Sequence, residues 1–179
     1  MEKLSGAAMR FQQLAELELA WCLRINRVAE RRPIEQFFAL VSRLGDGIFW
    51  YTLMVTLLLF YGSLAVPAVA RMLTVGFISL VLYKWLKAKT TRARPCSCNT
   101  TIRATVPPLD LYSFPSGHTL HAVAFSIVAV FHFPRLVWLL FPFTLLVALS
   151  RVVLGLHYPS DVLAGALLGT GLSFIVLQY

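Results

Sequence analysis

The chain has 179 residues, of which 58% are hydrophobic and 13% charged, against roughly 45–50% and about 25% in an average soluble domain. That balance excludes a disordered chain and an ordinary soluble nucleic-acid binder, and predicts a bilayer, not a nucleic acid, as the partner. The few charges are biased: 16 Lys and Arg against 8 Asp and Glu, a net +8.

The first 33 residues carry Glu2, Glu16, Glu18 and Glu30 among the basics. They hold no unbroken apolar stretch of the signal-peptide kind, which predicts no cleaved leader. Leu14, Leu17, Ala20, Trp21, Ile25 and Val28 recur at helical spacing, with Glu16, Arg24, Arg27 and Arg31 between them. This is the pattern of an amphipathic helix on a membrane surface, and equally of a helix packed on the rest of the domain. Ile34–Leu44 predicts a second short helix, ended by Gly45-Asp46-Gly47. Residues 1–45 therefore read as an interfacial segment, and 46–179 as a transmembrane core.

No charge falls from Ile48 to Ala70, and the apolar run resumes after Arg71 to Tyr83. Two antiparallel helices are expected, about Asp46–Ser63 and about Pro67–Lys87, turning at Gly62–Pro67. A polar, basic stretch from Lys84 to Ser113, with Pro95, Pro107 and Pro108, reads as the one long loop. Three further helices follow, about Pro115–Phe131, Pro134–Leu156 and Pro159–Tyr179. Each of the five is close to the roughly 17–25 residues that span a bilayer. The fold expected is an all-α, polytopic membrane helix bundle of about five transmembrane helices with an N-terminal amphipathic segment. Cys22, Cys96 and Cys98 read as incidental thiols, since Cys96 and Cys98 stand too close for an easy mutual disulfide.

Five spans place the end of the second, the start of the third, the end of the fourth and the start of the fifth on one side. Lys87, Lys89, Arg92, Arg94, Arg103, Asp110, Ser116, His118, Arg151, His157 and Asp161 collect there. Only Arg71, His132 and Arg135 fall near the opposite face, so one cationic site at one end of the bundle is expected.

Three clusters build that site. Lys87-x6-Arg94-Pro95 runs from a helix end into a loop; alone, it reads as topology anchors or snorkelling side chains. Pro115-Ser116-Gly117-His118 opens a helix whose free amides and dipole favour an anion. Ser116 can cap that helix, and Gly117 admits a ligand close to the backbone. Ser150-Arg151-x5-His157-x3-Asp161 puts a histidine and a carboxylate four apart, on one face if the segment is helical. An Asp that accepts one ring N–H directs the other nitrogen at a substrate. Together the clusters supply three cations, two histidines and an orienting carboxylate, which suits a phosphate. Of the eight acidic residues only Asp110 and Asp161 fall near the site, too few for a two-metal centre; no metal or other cofactor is expected.

In these motifs the sequence resembles the type 2 phosphatidic acid phosphatase family, whose three-part signature is matched in full and in order over about Gly45–Tyr179. The resemblance implies a metal-independent phosphatase of lipid phosphates, with undecaprenyl diphosphate or a phosphatidate-type lipid as the foremost substrates. It implies His157 as the nucleophile that forms a phosphohistidine, and Asp161 as the group that orients it. It implies His118 as the proton donor to the leaving oxygen and the base for the attacking water. Lys87, Arg94 and Arg151, with Ser116 and the Gly117 amide, would hold the phosphoryl oxygens. Lys84, Lys89, Arg92, Arg103 and His121 lie outside the signature; they fit contacts to a second phosphate or a headgroup, and more simply read as solvated or snorkelling charges. A multi-pass protein of the bacterial inner membrane is expected.

Two other functions fit the same residues: a phosphotransferase that passes the phosphoryl group to an acceptor alcohol, and a non-catalytic anion-binding membrane protein. Of the 16 Lys and Arg, only Arg71 and Arg135 fall off the site face. The positive-inside rule then points that face to the cytoplasm, whereas family members that recycle polyprenyl carriers work at the outer face.

Overall fold

The computed structural model describes residues 6–107 and 110–179; Glu2 and Pro108 lie outside the described residues. Every regular element there is a helix. The principal ones are α1 (Gly6–Asn26), α2 (Arg32–Arg43), α3 (Phe49–Tyr61), α4 (Val66–Thr90), α5 (Pro95–Cys98), α6 (Gly117–His132), α7 (Val137–Val153) and α8 (Pro159–Gln178).

Three helical stretches are long and apolar enough to cross a bilayer: Arg32–Cys98 with 67 residues, Pro134–Val153 with 20 and Pro159–Gln178 with 20. The first contains both α3 and α4, and turns between them at Gly62, whose φ of 55° suits glycine. Gly117–His132 is apolar but shorter, and its 16 residues extend about 24 Å at a rise of 1.5 Å each. Around the bundle the outward side chains are large and apolar; Phe60 is 81% exposed and Trp138 86%. So broad an apolar surface fits a lipid solvent. The protein is a membrane protein.

Helix α6 is the bundle's centre. Its buried face runs through Leu120, Ala122, Ala124, Phe125, Val128 and Ala129. Helix α8 presses on it through small residues at four-residue spacing, Gly165, Gly169 and Ser173. A Cβ at Gly165 would stand 2.5 Å from the Ser116 carbonyl oxygen, and one at Gly169 2.5 Å from that of Leu120. The Ser173 hydroxyl donates to the Ala124 carbonyl at 3.2 Å. Small residues let the two backbones meet where a lipid solvent offers no hydrophobic drive.

Helix α1 serves two surfaces. Leu14, Leu17 and Trp21 are exposed, as is Val28 in the turn that follows. Cys22, Asn26 and Ala29 are buried, and Leu19, Leu23 and Ile25 pack beside Ile102, Val152 and Tyr158. The Asn26 amide donates to the Val153 carbonyl at 2.9 Å and the Arg103 carbonyl at 3.1 Å. One face of α1 thus packs on the rest of the bundle.

Several boundaries differ from expectation. Helix α4 continues to Thr90, three residues past the expected end at Lys87, so Lys89 is helical rather than part of the loop. Apolar contact along α4 and the left-handed Thr91, at φ 46°, set the end later than the charge pattern suggests. Gly45-Asp46-Gly47 does not end a helix in a loop. It forms a wide helical turn, Leu44–Ile48, joining α2 to α3 with Gly47 at φ 136°. Pro134–Leu136 is a tight 3-10 turn ahead of α7.

Candidate active site

The three sequence clusters meet at one end of the bundle, around a cavity of about 920 Å³. Helix α4 brings Lys87 in its last turn. The loop after it brings Arg94, α6 opens with Gly117 and His118, α7 ends with Arg151, and the turn before α8 carries His157. All six line the cavity. Its walls extend to an apolar section with Trp50 and Met54 of α3, Leu73, Phe77 and Leu80 of α4, and Phe125 of α6.

Ser116 and Asp161 stand behind this wall. The Ser116 hydroxyl, fully buried, bonds the Thr119 hydroxyl at 3.0 Å and accepts from the Thr119 amide at 3.5 Å. It caps α6. The Ser116 amide donates to the Asp161 carbonyl at 3.0 Å, fastening the starts of α6 and α8.

His157 is buried, with Nε2 3.4 Å from an Arg94 guanidinium nitrogen and Nδ1 3.7 Å from Asp161 Oδ2. The expected helical face does not form this pair, because His157 precedes the first residue of α8. Asp161 is the third residue of that helix, and its Oδ2 accepts the Tyr158 amide at 2.9 Å. A capping arrangement therefore sets the carboxylate beside Nδ1. That nitrogen has no hydrogen-bond partner. Burial first, then the charges of Arg151, Arg94, Lys87 and His118, hold the His157 imidazole well below its ordinary value. Its Nε2 lies toward the cations.

Arg92, expected as a solvated charge, is instead the partner of Asp161. One guanidinium nitrogen donates to Asp161 Oδ1 at 2.6 Å and to the Ser160 hydroxyl at 2.8 Å; the other donates to Glu18 Oε2 at 2.6 Å. The group lies 4.0 Å from the Tyr158 ring centre, in cation–π range. Glu18 also accepts the Ser160 amide at 2.9 Å, so α1 grips the start of α8. His121 is another correction: its ring nitrogens bond the Gly117 carbonyl at 2.9 Å and the Gly76 carbonyl at 3.2 Å. It ties α6 to α4.

Two cations of the cavity already hold an anion. Lys87 Nζ donates to both Asp110 oxygens, at 2.7 and 2.9 Å, and to the Tyr112 carbonyl at 3.0 Å. Arg94 donates to Asp110 Oδ1 at 2.6 Å, to the Asp110 carbonyl at 3.0 Å and to the Leu156 carbonyl at 2.7 Å. Burial would raise the Asp110 carboxyl, but the bonds and charges of Lys87 and Arg94 outweigh it and hold it below the usual carboxylate value. Arg151 donates to the Ser42 hydroxyl of α2, while its buried Nε has no partner. Ser42, Glu18 and Asn26 carried no sequence signal beyond helical spacing.

A family model described as the PAP2 superfamily matches residues 65–179, more than half of the chain. The protein belongs to the PAP2 superfamily. It is 31% identical over 165 residues to the undecaprenyl-diphosphatase of Sulfolobus acidocaldarius, covering 90% of this chain and 77% of that protein. It is 35% identical over 79 residues to the undecaprenyl-diphosphatase BcrC of Bacillus subtilis, covering 44% of this chain and 41% of the other. The fold matches the crystal structure of a transmembrane PAP2 type phosphatidylglycerolphosphate phosphatase from Bacillus subtilis, with a TM-score of 0.77 at 26% identity over 96% of this chain and 88% of that one. Helices α1 to α3 precede the residues that the family model matches.

Proposed function

We propose that this PAP2 protein is a metal-independent phosphatase of the bacterial inner membrane. It hydrolyses a phosphate or diphosphate ester of a lipid, with undecaprenyl diphosphate or a phosphatidate-type lipid foremost. The observation that carries this reading is the buried His157, whose Nε2 faces Arg94 in the cationic end of the cavity.

In the first step His157 Nε2 attacks phosphorus. The N–P bond forms as the bond to the lipid oxygen breaks, and His118 protonates that leaving oxygen. Asp161 stabilises the positive charge on the His157 ring. Lys87, Arg94, Arg151 and the Gly117 amide hold the three phosphoryl oxygens through the charge build-up. Ser116 supports that amide by capping α6. In the second step His118 takes a proton from water, the water oxygen bonds phosphorus, and the N–P bond breaks to return neutral His157 and phosphate. Oxygens of the substrate replace those of Asp110 on Lys87 and Arg94. The apolar section of the same cavity suits the lipid chain next to its phosphate.

Phosphate release from purified undecaprenyl diphosphate, phosphatidate, phosphatidylglycerophosphate and lipid A, with and without acceptor alcohols, tests the reading. Release from at least one lipid, undiminished by chelator, is expected. Transfer to the alcohol in place of release would make the protein a phosphotransferase, and no turnover on any lipid would contradict the reading.

A further inference from the structure

We infer that Asp46 is a positioning residue for His118, forming a second carboxylate–histidine pair in the site. The inference rests on the proposed role of His118 as proton donor. Asp46 Oδ1 contacts His118 Nε2 directly, and both residues line the cavity. Asp46 lies in no part of the three-part signature and outside residues 65–179 that the family model matches.

The local backbone explains how the carboxylate reaches the site. Asp46 sits in the wide helical turn Leu44–Ile48 between α2 and α3. Gly47 supplies a φ of 136° that other residues rarely adopt. At Gly45 a Cβ would come 3.1 Å from the Val147 side chain, so a bare backbone lets α7 close on the turn. The two glycines hold Asp46 between α6 and α7 and aim it inward. Arg151 from α7 and His121 from α6 also act on His118, and Tyr83, Lys84, Lys87, Arg94, Asp110 and His157 line the same cavity. Among the described residues, Asp46 is the anion bonded to the His118 ring, and its charge also faces Arg151.

The chemistry follows from the nitrogen involved. With Nε2–H donated to Asp46, Nδ1 is the nitrogen left to move a proton. The Asp46 carboxylate fixes that tautomer and favours the protonated ring that must donate to the leaving oxygen. Nδ1 loses its proton to the leaving oxygen and regains one from water, while the Nε2 proton stays on the ring, donated to Asp46.

The test compares two phosphate monoesters on the full chain in detergent, p-nitrophenyl phosphate and a short alkyl phosphate. The nitrophenolate leaves without a proton; the alkoxide needs one. Asp46→Asn is expected to lower kcat/KM on the alkyl ester by about tenfold or more, part of the roughly 10²–10⁴-fold that a positioned acid supplies. It should change kcat/KM on the nitrophenyl ester by less than about threefold; kcat/KM ends at leaving-group departure and so leaves out the water step that His118 also serves, and all losses below are losses in kcat/KM. Asp46→Glu, which keeps the charge, should recover part of the alkyl activity, and melting temperatures confirm that the variants fold. His118→Asn runs beside them. Selective loss in His118→Asn with equal loss on both esters, or none, in Asp46→Asn overturns the inference and leaves the proposed function standing. Equal loss in His118→Asn overturns the proton-donor role and the inference with it.

Discussion

In the proposed mechanism Asp110 holds the places that phosphoryl oxygens need. Its carboxylate spans Lys87 and Arg94 at 2.6–2.9 Å, the lengths of charge-assisted bonds. The two cations stay paired in the absence of substrate, which avoids leaving buried charge uncompensated. Because they hold the carboxyl below its usual value of 3.8, it carries its charge at both pH 5 and pH 8. Asp110→Asn removes the competitor's charge while keeping its shape. We expect inhibition by vanadate, a phosphate mimic, to tighten by about tenfold, equivalent to about 1.4 kcal/mol, at both pH values. An unchanged or weaker inhibition constant in a folded variant would show that Asp110 organises the cations rather than competing for them.

At the scale of elements, the bundle depends on how closely α8 approaches α6. Gly169 and Gly171 make a controlled pair on α8. A methyl at Gly169 would stand 2.5 Å from the Leu120 carbonyl oxygen, whereas at Gly171 it meets nothing within 4 Å. Gly169→Ala should lower the melting temperature in detergent, by strain worth roughly 1–3 kcal/mol. Gly171→Ala should leave it unchanged or raise it, since alanine is the better helix former. Equal shifts in both would mean that the two backbones are not in contact. What was legible beforehand divides along similar lines. The apolar runs marked the bundle helices, and the signature residues were readable because phosphate chemistry demands those types at fixed short intervals. The partners of those residues were not. Asp46 meets His118 across 72 positions, and Arg92 meets Glu18 across 74 and Asp161 across 69. No local spacing records such pairs; they arise only when α1, the α2–α3 turn and the α4–α6 loop fold onto the same end. The His157–Asp161 pair was legible as a pair but not as a geometry, because the proline at 159 starts the helix between its members.

For the whole molecule, the excess positive charge has two placements. One part lies on and beside α1 and α2, whose exposed Leu14, Leu17 and Trp21 suit the lipid interface next to anionic headgroups. The other part lines the cavity. Both lie at the end of the bundle opposite Tyr179, which stands beside Ala70, Arg71 and Thr74 near the start of α4. A reporter fused after Tyr179 and a label at Lys84 should therefore fall on opposite sides of the membrane. Finding both on one side would contradict an odd number of crossings between them. The sidedness so obtained decides whether the substrate is met at the cytoplasmic or the outer leaflet.

The central claim is that His157 takes the phosphoryl group onto its ring. Rapid acid-free quenching of the purified protein with a radiolabelled lipid phosphate should trap a phosphoenzyme that is labile in acid and stable in base. Peptide mapping should place the label on His157, and His157→Ala should lose both label and turnover. Wild-type turnover by His157→Ala, or a label that maps to another residue, would contradict the account.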